Sequence, residues 1–70
     1  MNNNKLRGMM IYNGFTTKSL AQVLGLSESQ MRRRIRGEVE FTVGEIRDCC
    51  LALHLDHDQI MEIFFPHSAE

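Results

Sequence analysis

Three helix starts in this chain are signalled by a short polar residue with glutamine or glutamate three positions on: Ser27 with Gln30, Thr42 with Glu45, and Asp56 with Gln59. In such a pair the first side chain accepts from the backbone N–H of the second residue. The second side chain reaches back to the N–H of the first, so two donors orphaned at a helix start are satisfied together. Thr16 can cap a further helix. The ends are marked as well, by Gly14, Gly25 and Gly37 at positions suited to a helix C-terminus and by Pro66, which cannot continue one. These signals divide the chain into five short helices, beginning with one over about residues 3–13. No segment alternates polar and apolar residues for more than a few positions, so the expected fold class is all-α.

Each helix carries apolar residues at helical spacing. The first presents Leu6 and Met10; the second Leu20, Ala21, Val23 and Leu24; the third Met31 and Ile35. The fourth has Ile46, Cys49, Cys50 and Leu53, the i, i+3, i+4, i+7 pattern of one buried face, and the fifth Ile60, Ile63 and Phe64. Helices this short are marginal alone and must be held by packing on each other. Between the second and third, Gly25-Leu26-Ser27 leaves room only for a tight turn, as a helix-turn-helix requires. Seventy residues suffice for one domain, with a core expected over about residues 4–65 and a short tail over 66–70.

The net charge is only −1, but its distribution is uneven. Residues 1–37 carry Lys5, Arg7, Lys18, Arg32, Arg33, Arg34 and Arg36 against Glu28 alone, a net of +6. Residues 38–70 carry Arg47 against Glu38, Glu40, Glu45, Asp48, Asp56, Asp58, Glu62 and Glu70, a net of −7. Such a division suggests one face for a polyanion and another turned away from it.

Four of the cations fall within SESQMRRRIRG, residues 27–37. At about 100° per residue, Met31 and Ile35 lie together and must face the core. Ser29, Arg33 and Arg36 fall opposite, with Gln30 and Arg32 on the flanks. Arg34 falls at the edge of the buried face, where its stem can cover apolar surface. No acid follows Glu28 within the helix, so the strip lacks the interspersed i, i+4 pairs of an ordinary solvated face. Arginine offers a planar fork of donors that matches guanine O6 and N7 or two phosphate oxygens. The starts of the second and third helices add free N–H groups favourable to phosphate.

Residues 14–37, GFTTKSLAQVLGLSESQMRRRIRG, resemble the helix-turn-helix of the Cro and lambda-repressor type, and EFTVGEI after them resembles the start of that family's fourth helix. The likeness runs from Leu6 to about Phe65. It implies a single five-helix repressor-like domain whose third helix enters the major groove. The base-reading positions of the family map to Glu28, Ser29, Arg32 and Arg33, and the phosphate-holding positions to Thr16, Thr17 and Arg36, with Ser27 capping the helix that carries the strip. Family members often have glutamine where this chain has Thr17, which implies a shorter clamp there. Glu28 can accept from cytosine N4 or simply favour the helix dipole.

The remaining features point away from catalysis. There is no nucleophile–base pair, glycine-rich phosphate loop or metalloprotease motif, so an enzyme is not expected, nor a cofactor. His54, His57 and His67 show no repeated ligand spacing, and no metal site is expected. Cys49 and Cys50 are adjacent, which strains a disulfide between them, and two free thiols fit a reducing compartment. No apolar run approaches a membrane span and the N-terminus lacks a signal-peptide core, so a cytoplasmic protein is expected. On the fifth helix Met61 and Phe65 are apolar beyond what the core needs. With Pro66 they suggest a homodimer surface, which would match a palindromic DNA site. The expected partner is double-stranded DNA. A rival reading is a protein-binding module on the same fold, an antitoxin or antirepressor, acting through the acidic half or the fifth helix.

Overall fold

The computed structural model describes residues 1–66. It contains α1 (Asn3–Tyr12), α2 (Thr17–Leu24), α3 (Glu28–Ile35), α4 (Val43–Ala52) and α5 (His57–Phe64), with no strand among the described residues. All three expected capping pairs close in both directions. Ser27, Thr42 and Asp56 accept from the N–H of Gln30, Glu45 and Gln59, whose side chains accept in return from the cap N–H. A fourth reciprocal box heads α2, where Ser19 takes the position usually held by glutamine or glutamate. At α1 the cap is Asn2, whose side chain accepts from Lys5 N–H at 3.1 Å.

The helix ends share one arrangement. After α1, the N–H groups of Gly14 and Phe15 donate to Ile11 and Met10 O; after α2, those of Gly25 and Leu26 donate to Gln22 and Ala21 O. After α3, Gly37 and Glu38 donate to Arg34 and Arg33 O, and after α4, His54 and Leu55 donate to Leu51 and Cys50 O. This pair of reversed bonds needs a left-handed residue at its centre. Glycine supplies it three times, and His54, at φ 53°, supplies it after α4. Phe15, Leu26 and Leu55 turn back from three of these ends onto the core.

Every helix contributes to a single buried cluster: Leu6 and Met10, Leu20 and Ala21, Met31 and Ile35, Cys49 and Leu53, and Ile63. α2 packs against α3 and α4, while α1 packs against α5 and α3. Two polar ties close the arrangement. Asn2 N–H donates to Ile63 O at 2.7 Å, fixing the N-terminus to α5, and the Asn13 amide donates to Leu53 O at 3.2 Å, joining the ends of α1 and α4. Phe41, in the connection before α4, meets Phe64 edge to face at 5.5 Å between centroids.

Two apolar expectations are modified. Of the α4 stripe only Cys49 and Leu53 are fully buried, whereas Ile46 and Cys50 are half-buried. The apolar surplus is not concentrated on α5: Ile11, Tyr12, Val43 and Leu51 are 76%, 84%, 86% and 69% exposed, against 43% for Phe65. Each of those four occupies the outward side of its helix, a position that spacing toward the core leaves open.

Candidate nucleic-acid interface

The geometry of α3 follows from its two buried residues. With Met31 and Ile35 sealed against α1 and α2, the helix turns Glu28, Ser29, Gln30, Arg32 and Arg33 to solvent, and Arg36 follows at its C-cap. Gly25, at φ 72°, reverses the chain after α2, and Leu26 packs into the core, so Ser27 begins α3 without slack. The expected cationic strip is therefore one continuous exposed face.

Its charges are not equivalent. The Arg33 guanidinium has no hydrogen-bond or ion-pair partner among the described residues. Arg32 donates to Glu28 at 3.0 Å, an i, i+4 pair, and Arg36 lies 2.6 Å from Glu38, just past the end of the helix. The strip expected to be unbalanced is thus partly balanced, by Glu28 from within and by Glu38 from the reversal at Gly37. Both pairs are about half exposed, and pairs of that kind contribute roughly 0–1 kcal/mol, little enough to be exchanged for phosphate.

Arg34 differs from its neighbours. Its side chain is 14% exposed, and its Nε donates to Glu45 Oε1 at 2.8 Å. The same oxygen accepts from Thr42 N–H at 3.0 Å, so the carboxylate that caps α4 also receives α3. Burial pushes the Glu45 carboxyl upward, but the Thr42 N–H, the guanidinium of Arg34 and the Thr42 hydroxyl outweigh it and hold the group below its ordinary value. The edge position of Arg34 was readable from the helical spacing, but its partner eleven residues on was not.

The other candidate residues, Thr16 and Thr17 expected on phosphates and Ser27 expected as the α3 cap, divide by exposure. Thr16 and Ser27 are exposed, and both hydroxyls accept from the third residue of their helices, at 3.1 Å each. The Thr16 hydroxyl also lies 3.3 Å from that of Ser19, so it is engaged by its own cap more fully than Ser27. Thr17 is half-buried, leaving its backbone N–H at the helix start as its more useful group. Lys18, exposed in the first turn of α2, was not singled out among the candidates although its position beside that start suits a phosphate. Its signal was present in the sequence as an isolated cation one residue from Thr17.

Elsewhere, no three histidine, cysteine or acidic side chains converge as metal ligands among the described residues, and His67 lies outside them. Cys49 and Cys50 are both free thiols. Burial, with the nearby Cys50, Glu45 and Asp48, pushes Cys49 up to about 12, and burial raises Cys50 as well, so neither is an activated thiolate. No described helix is long and apolar enough to cross a membrane.

A tight glycine turn between α2 and α3, followed by an arginine-bearing helix face backed by the core, is the arrangement of a helix-turn-helix nucleic-acid-binding domain. The chain belongs to the Cro/C1-type HTH DNA-binding domain family, whose model matches residues 5–66, so it is a DNA-binding domain of regulator type. No curated protein and no solved structure matches the chain.

Proposed function

We propose that this protein is a sequence-specific transcriptional regulator of double-stranded DNA, a repressor of phage or mobile-element type that occupies its operator with α3 in the major groove. It acts in the cytoplasm, without a cofactor and without catalysis. The observation that carries this reading is Arg33, a cation without a partner among the described residues, on the exposed face that also bears Ser29, Arg32 and Arg36. Glu28, Ser29, Arg32 and Arg33 read base edges. Thr16, Thr17, Ser27 and Arg36, with Lys18 beside them, hold the flanking phosphates.

The protein binds as a homodimer through Met61, Phe65 and Pro66. These three residues line one shallow depression of about 510 Å³, together with Asn2, His57, Asp58 and Glu62. Two copies related by a two-fold axis place their α3 helices about one turn of DNA apart, so the bound sequence is palindromic.

Selection of bound duplexes from a random pool tests the reading directly, with affinity then measured on the selected sequence. Arg33→Ala costs roughly 1–3 kcal/mol and relaxes choice at one base position, whereas Arg36→Ala weakens all duplexes alike. Affinity falls with salt at a log–log slope of about −0.9 per phosphate neutralised. A protein that shifts no duplex even at low salt is instead a protein-binding module on this fold. A selected motif without symmetry, together with sedimentation as a monomer at micromolar concentration, removes the dimer.

A further inference from the structure

Three features of Arg34 have no place in contact with bases or phosphates. It is the arginine of the run that turns inward, its charge is met by Glu45 rather than solvent, and its Nη1 donates to Gln30 O, at 3.3 Å, within its own helix. Gln30 is the residue whose side chain closes the Ser27 box. A polar chain therefore runs from the cap of α3, through Gln30, Arg34 and Glu45, to the cap of α4 at Thr42.

The caps themselves do not require a carboxylate at their third position. The boxes of α3 and α5 are closed by the neutral amides of Gln30 and Gln59, at 2.9 Å each, and that of α2 by a hydroxyl. Among the described residues only α4 closes its box with glutamate, and only there does an arginine from another helix approach the capping oxygen. Capping geometry is satisfied either way, so the charge at position 45 is matched to Arg34. The packing makes this joint consequential: α3 rests on α2 and α1, and α4 on α2, while α3 and α4 have no extensive packing on each other. Met31 and Ile35 fix which face of α3 is inside, and the Arg34–Glu45 pair ties α3 directly to α4, alongside the indirect link through α2.

Building on the DNA-reading role of α3, we propose that Arg34 is a positioning residue: its ion pair with Glu45 sets the orientation of α3 relative to α4, so that DNA selectivity depends on two side chains that do not touch DNA. The direction of one effect separates this from a direct contact. Removing an acid from a DNA-binding protein ordinarily strengthens binding to every duplex, because a charge that repels phosphate is lost. Glu45→Gln keeps the capping acceptor and removes only the charge, and here it weakens binding to the selected sequence.

The experiment uses the full chain as wild type, Arg34→Gln, Glu45→Gln and the double variant, each confirmed folded by circular dichroism at the assay temperature. Residual dipolar couplings of α3 and α4 amides are recorded without DNA, and affinities are measured on the selected duplex and on a scrambled one. Both single variants rotate α3 relative to α4 and lower the ratio of specific to scrambled affinity roughly tenfold, in the range of couplings within one ion-pair network. The double variant is no worse than either single one, while scrambled binding by Glu45→Gln is unchanged or stronger. Unaltered dipolar couplings in both singles overturn the proposal, as does an additive double variant in which Glu45→Gln binds the selected duplex more tightly. A wild type without a preferred duplex defeats the functional reading instead, and the couplings measured without DNA still decide whether the joint orients α3.

Discussion

One peptide bond separates Arg33, whose guanidinium has no partner among the described residues, from Arg34, whose largely buried side chain donates to the Glu45 carboxylate that caps α4. A rotation of about 100° is enough to give the same residue type two opposite roles. Arg32 and Arg36 occupy a middle state, exposed but held by Glu28 and Glu38. The Glu28 carboxylate pairs with Arg32, and on the proposed DNA face its charge would also repel phosphate. Glu28→Gln is expected to tighten binding to scrambled DNA several-fold and to steepen the salt dependence by up to about one phosphate equivalent, as measured by titration at several salt concentrations. If the selected duplex is bound more weakly by that variant while the scrambled one is bound more tightly, Glu28 accepts from a base. Equal affinities throughout mean that Glu28 lies off the DNA face.

At the scale of the helices, the same reversed-bond ending recurs after α1, α2, α3 and α4, with one discordant residue. Gly14, Gly25 and Gly37 take the left-handed position at little steric cost, whereas His54 sits there with a Cβ. A left-handed non-glycine residue costs roughly 1–2 kcal/mol, part of which glycine returns through the greater entropy of its unfolded chain. His54→Gly is therefore expected to stabilise the domain by up to about 1 kcal/mol, seen as a rise of several degrees in Tm for a chain this size. A lower Tm in that variant would show that the imidazole contributes more than its backbone strain costs. The α4 ending was also the one that the sequence left unmarked, because the geometry is specified there by the bonds to Leu51 and Cys50 and not by a glycine.

For the molecule as a whole, a core of nine buried apolar residues closes around ends tied by few polar groups, and Arg34 with Glu45 is the best enclosed of its ion pairs. The Glu45 carboxyl is held below its ordinary value in the folded state, so its contribution is present above the unfolded pKa of about 4.3 and is lost as pH falls through the lower folded value. The Tm advantage of wild type over Glu45→Gln should accordingly persist at neutral pH and shrink toward zero as pH falls from about 5 to 3. A difference independent of pH would mean that the charge of Glu45 is not what holds the joint. The five helices, the caps at Thr16, Ser27, Thr42 and Asp56 and the inward faces of Met31 and Ile35 were legible in the sequence, because capping and helical periodicity act over three to seven residues and are written locally. Contacts between helices decided that Arg34 would meet Glu45, eleven residues on, and that Asn13 would bond Leu53 O, forty residues on. Those outcomes depend on how separate helices are placed against one another, and no local spacing encodes that placement.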